Sequence, residues 1–186
     1  MDALRLTDDQ EKELFRLKRL YRREANRCRE AKAYLAGCVM AGSELETMLL
    51  LMVSIFPDDA AATGQLPLKN KVTKRLTDWN LAELLKVAKA AGWLPSGLEY
   101  GKDDWDRKKA KVGDWAEVAR ETRNLAHPAR YLEDHYRQRI TKRHLEAISD
   151  TIKAVADWLV HNIHKSILER LEAESDRSAM IEADGE

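Results

Sequence analysis

Residues 14–56 read LFRLKRLYRREANRCREAKAYLAGCVMAGSELETMLLLMVSIF, and the fold turns on whether they make one helix. Every seventh residue from Leu14 gives Leu14, Tyr21, Cys28, Leu35, Gly42, Leu49 and Phe56. The companion series is Leu17, Glu24, Ala31, Cys38, Leu45 and Met52, and only Glu24 is neither apolar nor small. A repeat of about 3.5 residues kept this long predicts one helix, or two nearly collinear ones, packed lengthwise on its neighbours. Gly37, Ala41, Gly42 and Ser43 would let another helix approach closely, or would kink this one near 37–42. The pattern allows both.

Outward from that run the punctuation is clearer. Pro57 to Asp78, with Gly64 and Pro67, reads as a loop. A short helix follows, capped by Asn80 with Glu83 closing a capping box and Trp79 and Leu84 as a hydrophobic staple. Its apolar stripe is Leu81, Leu84, Leu85, Ala88 and Ala91, and Gly92 ends it. A connector with a mobile centre is expected across 93–109. Asp114 with Glu117 reads as a second capping box, opening a helix that must stop near His127 because Pro128 follows. The last helix is expected to start at Thr141, with Ile140 and Leu145 as its staple. It should run on Leu145, Ile148, Ile152, Val155, Leu159, Ile163 and Ile167 to about Leu171. No strand-like alternation is visible. The expected fold is an all-α bundle, with long N-terminal and C-terminal helices, two shorter ones between, a single domain over 1–172 and a frayed acidic tail over 173–186.

Lys+Arg and Asp+Glu number 32 each, so no net field recruits nucleic acid or membrane. The charge is uneven, however: residues 16–32 hold eight cations against Glu24 and Glu30, and the tail from Glu169 is acidic. The start, MDALRLTDDQEKE, lacks the basic-then-apolar pattern of a signal peptide. TMLLLMVSIF at 47–56 is about half a membrane span. A cytoplasmic protein without membrane contact is expected. Cys28 and Cys38, ten residues apart on one helix, would sit about 15 Å apart, beyond disulfide reach.

Residues 120–130, RETRNLAHPAR, concentrate the chemistry. On a helix with Trp115 at 0°, Val118, Ala119, Thr122, Leu125 and Ala126 fall between roughly 280° and 40°, the expected core stripe. Arg120, Arg123, Asn124 and His127 fall between roughly 80° and 180°, on a separate face. A histidine there can take the proton of an RNA 2′-hydroxyl, and an arginine can hold the scissile phosphate with a bidentate fork. The plain alternative is a basic helix end, where a cation gains from the helix dipole.

Arg120 and His127, six residues between them, fit the Arg-x(4–6)-His motif of the HEPN superfamily, and RNLAHP resembles its Arg-Asn…Ala-His signature. GSELETMLL, through Glu46 or Glu44, and LAELLKVAKAAGWL are similar to further stretches of bacterial HEPN-like proteins. The resemblance implies a dimerising helical bundle and a metal-independent endoribonuclease of toxin or defence type, with RNA as substrate. It also implies a possible nucleotidyltransferase-type antitoxin partner. His127 would be the base, Arg120 the phosphate-stabilising cation, and Arg123 with Asn124 further phosphate contacts, with no metal or cofactor. Glu121 departs from the pattern, since a polar residue such as Asn usually follows the motif arginine. Some members are non-catalytic binding or scaffold modules, which is the alternative reading.

Other residues carry less. His161 and His164 read as a solvated or dimer-facing pair rather than metal ligands, and His135 and His144 show no partner pattern. The basic belt at 16–32 could bind RNA phosphates, although only Tyr21 and Tyr34 lie nearby as aromatics; pairing with the acidic C-terminal helix explains it equally well. Trp105, in a charged loop, is the tryptophan expected to meet a partner.

Overall fold

The computed structural model describes residues 2–98, 109–134 and 140–183. Trp105 and His135 lie outside them, as does the centre of the 93–109 connector. The all-α class holds. In chain order the helices are α1 (Asp8–Glu30), α2 (Tyr34–Ile55), α3 (Pro57–Ala62), α4 (Leu81–Ala90), α5 (Val112–Asn124), α6 (Pro128–Asp134) and α7 (Lys142–Ala183).

The heptad segment is neither one helix nor two collinear ones. It is a hairpin. Leu6 N–H donates to Ser54 Oγ at 2.9 Å and Ser54 Oγ to Glu11 Oε1 at 2.6 Å, while Arg22 pairs with Glu44 at 2.6 Å. Partners of α1 thus descend along α2 as α1 ascends, so the two helices run antiparallel. The reversal occupies Ala31 to Ala33. Lys32 takes a left-handed conformation (φ 59°), Ala33 N–H reaches back to Cys28 O at 2.8 Å, and Lys32 N–H to Arg29 O at 3.2 Å. This is a Schellman ending with lysine where glycine is usual. The sequence shows no break there because no glycine, proline or asparagine marks it. The available signal was Arg27 and Arg29, cations in a helix's last turn.

The period itself survives the turn. On α2, Cys38, Gly42, Leu45, Leu49 and Met52 are buried, as the repeat requires, whereas α1 buries only Ala25 and leaves its seam half-covered. Because they sit on opposite arms of a hairpin, the expected 15 Å separation of Cys28 and Cys38 along one helix does not apply; both are free thiols. Burial pushes the Cys38 thiol up to about 12.

α2 is the central element. It is long and apolar enough to cross a membrane by composition, with mean hydropathy 1.6, yet 67% of that window is buried inside the protein. A helix apolar on all sides needs cover all round, and α1, α4, α5 and α7 provide it. Glycines set the closest approaches. A Cβ on Gly37 would meet Leu145 of α7 at 2.6 Å, and one on Gly42 would meet Arg123 of α5 at 2.7 Å. So the small residues admit neighbours rather than kink α2, which is unbroken through 37–42.

Two prolines that end one helix also begin another. Pro57 is the first residue of α3, with Asp58 and Asp59 in its first turn, inside the segment expected to be loop. Pro128 likewise opens α6. The same loop holds a minimal antiparallel hairpin, Leu68–Lys69 with Val72–Thr73, turned by Asn70 and Lys71, both at positive φ. α4 matches expectation. Asn80 and Glu83 make reciprocal cap hydrogen bonds of 2.9 and 3.0 Å, and Gly92 (φ 74°) closes it in a Schellman ending.

α7 starts after Thr141, whose amide and hydroxyl both meet His144 Nδ1, so His144 has a capping role that the sequence did not reveal. Leu145, Ile148, Ile152, Val155 and Leu159 are buried as expected. Beyond them Val160, Ile167 and Leu168 are exposed, and the helix continues past Leu171 to Ala183. At about 1.5 Å per residue, the part after Val160 spans about 35 Å.

Candidate functional site

α5 carries the quoted cluster, and its start is set by contacts far away in sequence. The Asp114 carboxylate is not the N-cap. It lies three residues inside the helix and accepts from Lys111 N–H at 2.7 Å, Gly97 N–H at 2.7 Å and Leu98 N–H at 3.4 Å, as well as from the Ser96 hydroxyl. Burial works to raise its pKa, but these donors outweigh it and hold the carboxyl below the usual range. Gly113 is equally constrained, since a Cβ there would lie 2.6 Å from Leu94 O. The expected capping box of Asp114 with Glu117 is therefore corrected: Glu117 is free for another role.

That role appears on the inner face of α5. The buried residues are Gly113, Asp114, Ala116, Glu117 and Ala119. Trp115 is only partly buried and Val118 is 36% exposed. The inward face thus keeps Ala119 and Leu125 of the stripe expected to be core. It turns further round the helix, however, to the side on which Arg120 and Arg123 lie partly buried, while Val118 and Ala126 face outward. Gly113 lets the start of α5 sit against Leu94 and Pro95, Gly42 of α2 gives room to Arg123, and the charges that come inward are matched by carboxylates.

Glu117 is shared. Lys89 of α4 reaches Glu117 Oε1 at 2.6 Å, and Arg120 Nε reaches Glu117 Oε2 at 2.8 Å. Arg120 also pairs with Glu121, and its side chain is 14% exposed. Arg123 pairs with Glu46 of α2 at 2.6 Å while its aliphatic stem packs on Gly42. The two arginines turn to different carboxylates. Asn124 ends α5, partly buried. His127 lies in the following turn, exposed; its N–H donates to Asn124 O at 2.9 Å and its carbonyl accepts from Tyr131 N–H at 3.0 Å, starting α6.

So Arg120, Arg123, Asn124 and His127 occupy one stretch, as expected, but the arginines are committed to intramolecular ion pairs and the histidine to open surface. Sequence reasoning missed Glu117 as the hub. Its spacing of three residues from Arg120 was a usable signal. Lys89 and Glu46 arrive from other helices and had no local sign. His161 and His164 are both exposed on α7.

Comparison of the chain with known family models, curated proteins and solved structures returns no match.

Proposed function

We propose that the chain is a HEPN-like helical binding module that does not itself cleave RNA. The observation that carries this reading is the Arg120 guanidinium, held between Glu117 and Glu121 with Lys89 on the far side of Glu117. A phosphate approaching Arg120 would have to displace carboxylates from a partly buried network and would meet their negative charge as it came. Arg123 offers no easier route, since Glu46 already occupies it. Both cations instead bind α5 to α4 and α2. The exposed apolar residues toward the C-terminal end of α7, Ile167 and Leu168, fit a module that pairs with a second copy.

A second reading, a metal-independent endoribonuclease of toxin or defence type with a nucleotidyltransferase-type antitoxin, is favoured by one feature. His127, within RNLAHP, is exposed and available as a base.

A cleavage assay on labelled RNA with chelator present separates the two. The binding-module reading expects no cutting above background and no difference between wild type and His127→Ala. Products ending in 2′,3′-cyclic phosphate, lost in both His127→Ala and Arg120→Ala, would establish the ribonuclease instead.

A further inference from the structure

We propose that the outer face of α1 around Phe15 is a binding site for single-stranded nucleic acid, separate from the Arg120–His127 segment. Phe15 is 49% exposed and belongs to no part of the core. It lines a surface concavity of about 330 Å³ together with Lys18, Arg19 and Arg22. These residues sit three, four and seven positions after Phe15, so all four share one helix face. Burying a phenylalanine is worth about 1.5–3 kcal/mol, and this one forgoes much of that in the midst of cations. An open ring flanked by unneutralised positive charge is the chemistry that holds a stacked base and its phosphates.

The aromatic missing from the basic belt is thus Phe15, just outside it. Among the described residues Lys18 and Arg19 form no ion pair, so both are available to phosphate. Arg22 is already close to the buried Glu44, 2.6 Å from its Oε1, at a distance but not an angle suited to a hydrogen bond. It cancels that carboxylate rather than adding positive charge.

A second concavity, of about 430 Å³, adjoins the first through Lys18 and Arg22 and continues between α1 and α7. The track from Phe15 to Asn26 is about 16 Å long. Lys153 stands on its α7 wall, but so do Asp150 and Asp157. Those carboxylates repel a phosphate chain and press it toward Lys18 and Arg19 on the α1 side, with bases turned onto Phe15. An acidic helix from a second copy would match the cations too, yet it has no planar group for an open ring. A double helix keeps its bases stacked on each other and offers Phe15 none.

The test is fluorescence anisotropy of a short, labelled, mixed-sequence single-stranded RNA titrated with the full chain in the His127→Ala background, over a salt series. This background removes any cleavage, so the result does not depend on how α5 is read. Phe15→Ala should weaken binding about tenfold and Phe15→Trp should preserve it, because stacking needs a ring face. Lys18→Ala with Arg19→Ala should lower the slope of log affinity against log salt by about 1.4, two contacts at about 0.7 each. These surface changes should leave the circular dichroism spectrum intact. Equal affinity for duplex RNA, or binding indifferent to Phe15→Ala, overturns the proposal. So does failure to bind RNA at all; if the same variants then change sedimentation, the face belongs to a second copy of the chain.

Discussion

Two neighbouring helices, α4 and α5, differ in how their positions are fixed. α4 is bounded by its own residues: Asn80 and Glu83 cap each other at one end and Gly92 closes the other. α5 has a local cap too, Asp114 on the Lys111 amide, but is held mainly by residues distant in sequence. Asp114 gathers the amides of 97–98, and Glu117, Arg120 and Arg123 find Lys89 and Glu46 on α4 and α2. A helix defined by local chemistry can be read from sequence alone. One held by partners elsewhere shows its period but only part of its facing. On α5 apolarity alone picks out the buried Ala119 and Leu125, yet it also picks the exposed Val118 and Ala126 and omits the buried Glu117.

The largest test of this contrast is Glu117→Ala. It removes a carboxylate, 11% exposed, that Lys89 and Arg120 share. Taking one partner from a buried ion pair costs several kcal/mol, and since Arg120 keeps Glu121 the expected loss is about 3 kcal/mol in urea unfolding. A loss of only a few tenths would mean that α5 docks through its alanines alone. The local pairing on α4 would then be no less important than this long-range network.

The next effect is smaller and depends on pH. The Asp114 carboxyl has its pKa lowered in the folded protein by its amide and hydroxyl donors. A depressed carboxyl contributes stability that is present above its unfolded value, near 3.9, and is lost as pH falls through the lower folded value. Asp114→Asn keeps the shape but not the charge, and should cost about 1–2 kcal/mol at neutral pH. The gap between variant and wild type should narrow as acid protonates Asp114. A gap that stays constant down to acid pH would show that the loop at 96–98, not the charge, anchors the start of α5.

Much of the architecture was legible because helix periods and caps are local. The all-α class, the α4 boundaries, the stop before Pro128 and the first five apolar positions of α7 were all visible in the residues. Pro57 and Pro128 signal a stop to the residues before them, but a proline is equally fit as a first helical residue, and each opens the next helix. Of the site, the positions were legible but the company was not: Glu117 sits one turn from Arg120, whereas Glu46 lies 77 residues from Arg123, at 46 against 123, and no spacing rule reaches that far. Phe15 carries no local sign, because its exposure, not its sequence neighbourhood, sets it apart.

The smallest effect decides the largest structural correction. α1 and α4 end in the same hydrogen-bond pattern, yet Gly92 holds the left-handed position in one and Lys32 in the other. A side chain in that conformation costs roughly 1–2 kcal/mol, whereas glycine adopts it freely and loses more entropy on folding. Lys32→Gly should therefore stabilise the protein by about 0.5 kcal/mol, seen as a higher urea midpoint at unchanged slope. In a continuous helix through residues 14–56 the same change would place glycine mid-helix and cost about 1 kcal/mol. Lys32→Ala has the opposite leaning, since alanine favours a continuous helix and gains nothing in a left-handed turn. The two substitutions thus move apart in opposite directions for the two folds. A hairpin requires the glycine variant to be the more stable of the pair, and the reverse order would restore the single long helix.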